Sequence, residues 1–116
     1  MIIMKNKKLT IGISLRVVGN TDYNEKRDAL SQDWSKFFEK LEINPLLIPN
    51  TIKNVSEFLE DMQVQGLFLS GGDNVGDNQD RDITEQKIID YCLEKKIPLI
   101  GICRGMQVIN TFFGGK

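Results

Sequence analysis

The sequence predicts an α/β fold built on a parallel sheet, and three observations carry that prediction. Short apolar runs rich in β-forming residues alternate with segments of helical period. The order strand then helix repeats four times along the chain. The run Pro98-Leu-Ile-Gly-Ile102 is apolar throughout, as expected of a strand covered on both faces. Such an alternation closes as a parallel sheet with right-handed crossovers, here of four strands and four helices.

Each element has its own signature. Leu9-Thr-Ile-Gly-Ile-Ser-Leu15 alternates and reads as the first strand, followed by a polar stretch around Gly19, Asn20 and Asp22. Leu30, Trp34, Phe37, Phe38 and Leu41 recur at helical spacing and form one apolar stripe. Pro45-Leu-Leu-Ile-Pro49 is a second strand whose bracketing prolines suit a strand end or a sheet edge. Asn54 with Glu57 starts a second helix, whose inner side is Val55, Phe58, Leu59 and Met62. Gly66-Leu-Phe-Leu-Ser70 is a third strand and runs into Gly71-Gly72. Asp82 with Glu85 has the spacing of a capping box at the head of a third helix, with Ile88, Ile89 and Cys92 facing inward. After the fourth strand, Pro98 to Ile102, a last helix runs from Met106 to Phe113 and stops at Gly114-Gly115. Ligands of such sheets bind beyond the carboxyl ends of the strands, which singles out the loops after Ser70 and after Ile102.

Composition excludes several functions. The 116 residues fit one domain, and 41% hydrophobic with 27% charged residues is the balance of an ordinary soluble protein. Fifteen basic against sixteen acidic side chains argue against nucleic acid as a partner, since phosphate neutralisation needs a basic surface. Two cysteines and no histidine cannot furnish the usual four zinc ligands, and no metal is expected. Cys92 and Cys103 carry no disulfide framework around them, which fits a reducing cytoplasm. Met1-Ile-Ile-Met4 followed by Lys5, Lys7 and Lys8 reverses the order of a signal peptide. No window approaches the roughly 20 apolar residues that cross a bilayer, so no membrane partner is expected.

Gly101-Ile102-Cys103-Arg104-Gly105 is the cysteine form of the elbow that presents a nucleophile on a sharp strand-to-helix turn. Glycines two residues either side relieve crowding in that turn. The free N–H groups and positive end of the following helix favour thiolate at Cys103, and the Arg104 N–H can face a developing oxyanion. The plain alternative is a small buried cysteine with glycines that merely pack helix on strand. Gly71-Gly72-Asp73 leaves the neighbouring strand at the same sheet end and can offer a second backbone donor; alone, it is also an ordinary turn. The acidic run Asp73 to Asp82 fails the calcium-loop spacing: from Asp73, position six is Asn78 and position twelve Thr84. Arg81, Asp82 and Glu85 could touch a substrate, but capping already accounts for Asp82 and Glu85. Cys92 and Trp34 read as core residues. Neither a Gly-x-Gly-x-x-Gly nor a Walker lysine motif occurs, and no cofactor is expected.

Taken together, Leu69-Ser-Gly-Gly-Asp73, Arg81-Asp-x-x-Glu85, Ile97 to Asn110 and Phe113-Gly-Gly115 closely resemble the class I glutamine amidotransferase-like hydrolases. Within them the chain is most similar to the gamma-glutamyl hydrolase branch, which includes gamma-glutamyl-GABA hydrolases; Arg104 favours that branch over subunits that serve a synthase. Tyr23 to Leu30, on through Trp34, resembles a bacterial subgroup that includes gamma-glutamyl-CDP-amidate hydrolases. The resemblance implies a flavodoxin-like sheet with helices on both faces, Cys103 as nucleophile on a gamma-glutamyl amide, and a thioester that water cleaves to glutamate. It implies backbone oxyanion donors at Gly72 and Arg104, with Gly71 and Gln107 beside the bound glutamyl group. It also implies a histidine and a glutamate partner further along the chain, and no histidine is present in these 116 residues. Residues 1–116 are therefore expected to be the N-terminal, nucleophile-bearing half of a single such domain, incomplete as a sheet and with negligible turnover alone. The expected partners are a small gamma-glutamyl substrate and either the missing C-terminal half or further copies of the chain. Two other readings stay open: a noncatalytic flavodoxin-like binding module, and a glutaminase that supplies ammonia to a synthase.

Overall fold

In the computed structural model, which describes residues 8–20 and 22–116, four parallel strands form one sheet: β1 (Thr10–Ser14), β4 (Asn44–Ile48), β5 (Gly66–Leu69) and β6 (Leu99–Gly101). Their spatial order is β4-β1-β5-β6. Four helices connect or follow them: α1 (Gln32–Lys40), α2 (Val55–Asp61), α3 (Gln79–Lys95) and α4 (Arg104–Phe112). This is the predicted flavodoxin-like α/β arrangement with helices on both faces. The proline-bracketed strand β4 is at the sheet edge, where its missing N–H donors cost nothing. The amino-terminal Met1-Ile-Ile-Met4 segment and the lysines after it, to Lys7, lie outside the described residues.

Strand alternation sends the side chains to two cores. Leu67 and Leu69 of β5 and Ile48 of β4 pack with Val55 and Leu59 of α2, Ile88, Ile89 and Cys92 of α3, and Val108 of α4. On the opposite face, Ile11 and Ile13 of β1 pack with Phe38 of α1, beside Trp34 and Phe68. Trp34 anchors the predicted stripe: its ring centroid is 5.9 Å from that of Phe38 and 5.6 Å from that of Phe68.

Three expectations change. The polar stretch after β1 holds a hairpin, β2 (Arg16–Asn20) against β3 (Glu25–Ala29), antiparallel and separate from the main sheet. Its second strand is charged and largely exposed, so it carries no apolar alternation to announce it. It is tied back through Asp28, whose two carboxylate oxygens accept from the backbone N–H and the Nδ2 of Asn50, both at 2.9 Å. The third helix begins earlier than Asp82: Asn78 is its N-cap, and its Oδ1 accepts from the Arg81 N–H at 3.0 Å. Asp82 and Glu85 therefore form no capping box. Finally, β6 is an edge strand and is not covered on both faces. Ile100, in register with Phe68, is half exposed.

Candidate functional site

β5 and β6 are parallel neighbours in register, Leu69 opposite Gly101, so the loops that follow them leave the same end of the sheet side by side. The Ile102 N–H continues the ladder by donating to the Leu69 oxygen at 3.0 Å. The chain then turns abruptly. Cys103 has φ 52° and ψ −108°, a backbone conformation that L side chains rarely adopt, and is the N-cap of α4. Strain of this kind persists only where the surroundings impose it. Here they do. A β-carbon on Gly101 would lie 2.5 Å from the Gly105 carbonyl carbon, and one on Gly105 only 2.3 Å from the Leu69 oxygen. Neither position tolerates any side chain, because α4 is pressed onto the ends of β5 and β6. The elbow expected from the five-residue pattern is thus built by contact between bare backbones.

Cys103 is exposed. Behind it, the Gly105 and Met106 N–H groups donate to the Ile102 and Cys103 oxygens at 2.9 and 3.0 Å, while the Arg104 N–H finds no acceptor among the described residues. Across from it lies Gly71, whose β-carbon position would be 3.6 Å from the Cys103 Cβ. Gly72 follows at φ +88°. Gln107 is exposed one turn along α4, its N–H 3.4 Å from the Cys103 oxygen. The structure therefore brings together Cys103, Gly71, Gly72 and Arg104 at one sheet end, with Gln107 on the adjoining turn.

What orients the glycine loop is a buried arginine that sequence reasoning assigns no structural task. Arg81 is completely buried, and its guanidinium donates to the carbonyl oxygens of Ser70 at 2.9 Å, Gly71 at 3.1 Å and Gly72 at 2.6 Å. It also meets Asp73 at 3.2 Å. In a trans peptide the C=O and the next N–H point in opposite directions. Drawing the Gly71 oxygen toward Arg81 therefore turns the Gly72 N–H away from α3, and that N–H has no acceptor among the described residues.

Arg81 is itself held by Glu85, one helical turn on, through Nε to Oε1 at 3.0 Å. Glu85 also accepts from the Ser14 hydroxyl at 3.0 Å and from Arg104 Nη1. Arg104 reaches Asp82 with its other terminal nitrogen. The Ser14 hydroxyl in turn accepts from the Ser70 N–H at 3.0 Å. One carboxylate thus joins the end of β1, the loop after β5 and the first residue of α4. Burial pushes the Glu85 carboxyl up from its ordinary range against the pull of Arg81 and Arg104, and burial likewise lowers Arg81, with Arg104 adding to the lowering and Glu85 opposing it. The signal that could have found this network is the spacing of Arg81 and Glu85, four apart on a helix, with Asp82 beside them on the face that meets Arg104. Cys92, as expected, is core: only 5% exposed, with burial raising its thiol to about 11.

A cleft of about 300 Å³ lies beside the glycine loop, lined by Arg16, Ser31, Trp34, Ser70, Gly71 and Gly72 among others. Trp34, besides anchoring the core, forms a wall of it. Among the described residues no cluster of three or more Cys, Asp or Glu side chains could hold a metal ion, and no helix is long and apolar enough to cross a membrane.

The Peptidase C26 family model matches residues 10–116. The gamma-glutamyl-CDP-amidate hydrolase of Campylobacter jejuni subsp. jejuni serotype O:2 is 37% identical over 110 residues, covering 89% of this chain and 54% of that relative. A putative glutamine amidotransferase of Schizosaccharomyces pombe is 43% identical over 68 residues, 46% of this chain and 27% of the relative. One subunit of the glutamine-hydrolyzing GMP synthase of Methanococcus aeolicus is 32% identical over 76 residues, 66% of this chain and 36% of the relative. The chain spans about half the length of the Campylobacter relative and a smaller share of the other two. With nearly its whole length matched, and with the strained cysteine elbow and its glycine loop inside the matched region, the chain belongs to the Peptidase C26 family.

Proposed function

We propose that this chain carries the nucleophile and oxyanion loop of a gamma-glutamyl amide hydrolase, with Cys103 as the attacking residue. The observation that supports the reading best is the exposed Cys103 on a left-handed backbone, facing a glycine loop whose Gly72 N–H is turned outward. The thiolate sulfur adds to the γ-carbonyl carbon, and the displaced electron pair resides on oxygen. The N–H groups of Gly72 and Arg104 stabilise that oxyanion; losing one such donor costs on the order of 3 kcal/mol. Collapse breaks the C–N bond, the leaving amine takes a proton, and the thioester remains. Water then cleaves it, releasing glutamate and restoring the thiol. In this reading Gly71 and Gln107 border the glutamyl group.

The proton transfers call for the histidine that the family resemblance implies, and none of these 116 residues is histidine. We assign that role to a polypeptide segment outside this chain, consistent with the greater length of the relatives. Turnover by the chain alone is accordingly negligible, while displacement of a halide by the Cys103 thiolate, which needs no proton transfer to a leaving group, is retained. The substrate is a small gamma-glutamyl compound, as the name of the Campylobacter relative suggests, and two cysteines without a disulfide framework support a reducing, cytoplasmic setting. The GMP synthase relative supports a second reading, in which the released ammonia passes to a partner protein.

The test uses the chloroketone analogue of L-glutamine, whose chloride is displaced by a thiolate without need of a base. Cys103 is expected to be alkylated faster by the L than by the D enantiomer. A noncatalytic binding module predicts no preference.

A further inference from the structure

We propose that Arg16 is a specificity-determining residue of this site, reading an anionic oxygen group of the substrate next to the scissile carbonyl. Arg16 opens β2, and its side chain lies along Gly72: a β-carbon on Gly72 would be 3.0 Å from the Arg16 Cδ and 3.7 Å from its Nη1. That places a guanidinium beside the residue whose N–H faces the oxyanion, in the wall of the cleft shared with Ser31 and Trp34.

The charge is exposed and carries no ion pair or hydrogen bond among the described residues. Its neighbours explain why. Across the hairpin Arg16 is opposite Ala29, and the residue before that, Asp28, has both carboxylate oxygens engaged by Asn50. Asp73, the acid nearest in sequence to Gly72, is paired with Arg81. Both carboxylates are thus committed elsewhere, and the Arg16 guanidinium is left to the cleft. Arginine suits this task because its planar fork donates two parallel hydrogen bonds to a carboxylate or a phosphate. Within a substrate of the proposed class, two groups offer such oxygens: the α-carboxylate of the glutamyl part, and a phosphate on the leaving side.

The inference rests on the proposed function, and the following experiment separates the two. Rates of Cys103 alkylation are measured by peptide mass spectrometry with iodoacetate and iodoacetamide, reagents of similar size that differ in charge. The iodoacetate-to-iodoacetamide ratio is expected to fall about tenfold in Arg16→Met and by less in Arg16→Lys, which keeps the charge without the fork. An unchanged ratio in Arg16→Met overturns the proposal. The source of the anion follows from two further arms. If Arg16 reads the α-carboxylate, Arg16→Met slows the chloroketone glutamine analogue but not its α-carboxamide. If it reads a leaving-side phosphate, both chloroketones react alike in the two proteins, and protection of Cys103 by methyl phosphate is lost in Arg16→Met. Loss of neither effect overturns the proposal. Absence of any L-over-D preference at Cys103 in the unmodified chain overturns the proposed function instead.

Discussion

The two cysteines sit eleven residues apart and differ in almost every respect that governs reactivity. Cys92 is in α3, packed against the sheet, and its thiol is pushed up to about 11 by burial. Cys103 is exposed, on a strained turn, at the head of α4, opposite a loop whose Gly72 N–H has no acceptor among the described residues. The residue type is the same; the backbone on either side of it decides between a buried core thiol and an exposed one.

The largest effect expected from breaking this contrast is chemical. Cys103→Ala is expected to abolish chloroketone labelling, a loss on the order of 10³-fold or more, while Cys92→Ala leaves it intact; intact-mass spectrometry reads both.

Next comes Arg81→Met, which leaves the Glu85 carboxylate with Arg104 and Ser14 alone and the carbonyls of Ser70, Gly71 and Gly72 without their donor. A destabilisation of about 3–5 kcal/mol in urea unfolding is expected, because a buried carboxylate loses one of its two ionic partners and three loop carbonyls lose their donor. The double variant Arg81→Met with Glu85→Gln should cost less than the sum of the two single changes.

Gly105→Ala drives a methyl group toward the Leu69 oxygen and is expected to cost about 2–3 kcal/mol. It should also slow labelling at Cys103, since α4 must move off the strand ends. Ala at Gly19, where nothing lies within 4 Å, serves as the comparison.

The smallest effect belongs to Cys92. Its folded thiol titrates near 11 against an ordinary 9.0, so between those values the folded chain keeps a proton that the unfolded chain has lost. Stability conferred by this group is therefore complete below pH 9.0 and declines as pH rises toward about 11. Comparing unfolding midpoints of the unmodified chain and Cys92→Ala at about pH 8 and about pH 10.5 should show a steeper decline for the unmodified chain, by about 2 kcal/mol.

The parallel sheet, its four helices and the cysteine elbow are legible because they are written in local patterns: apolar runs of period two, stripes of period 3.6, and glycines at fixed offsets from Cys103. The hairpin is not, because Glu25–Ala29 pairs through backbone hydrogen bonds and is anchored by one Asp28–Asn50 contact far apart in sequence. Asp82 and Glu85 read as caps because their spacing is that of a capping box; the earlier helix start at Asn78 and the tertiary placement of Arg104 assign them instead to an ion-pair network. The exposed side of β6 is hidden from the sequence because an apolar run reports composition and not what packs against it.

The L and D chloroketone analogues of glutamine, compared at Cys103 of the unmodified chain near neutral pH with the adduct on each cysteine quantified over time, decide whether a glutamyl site is built here. Exposure alone makes Cys103 react before Cys92 but cannot tell enantiomers apart. A built glutamyl site predicts at least about a tenfold preference for the L form at Cys103. Equal rates for the two enantiomers would contradict it.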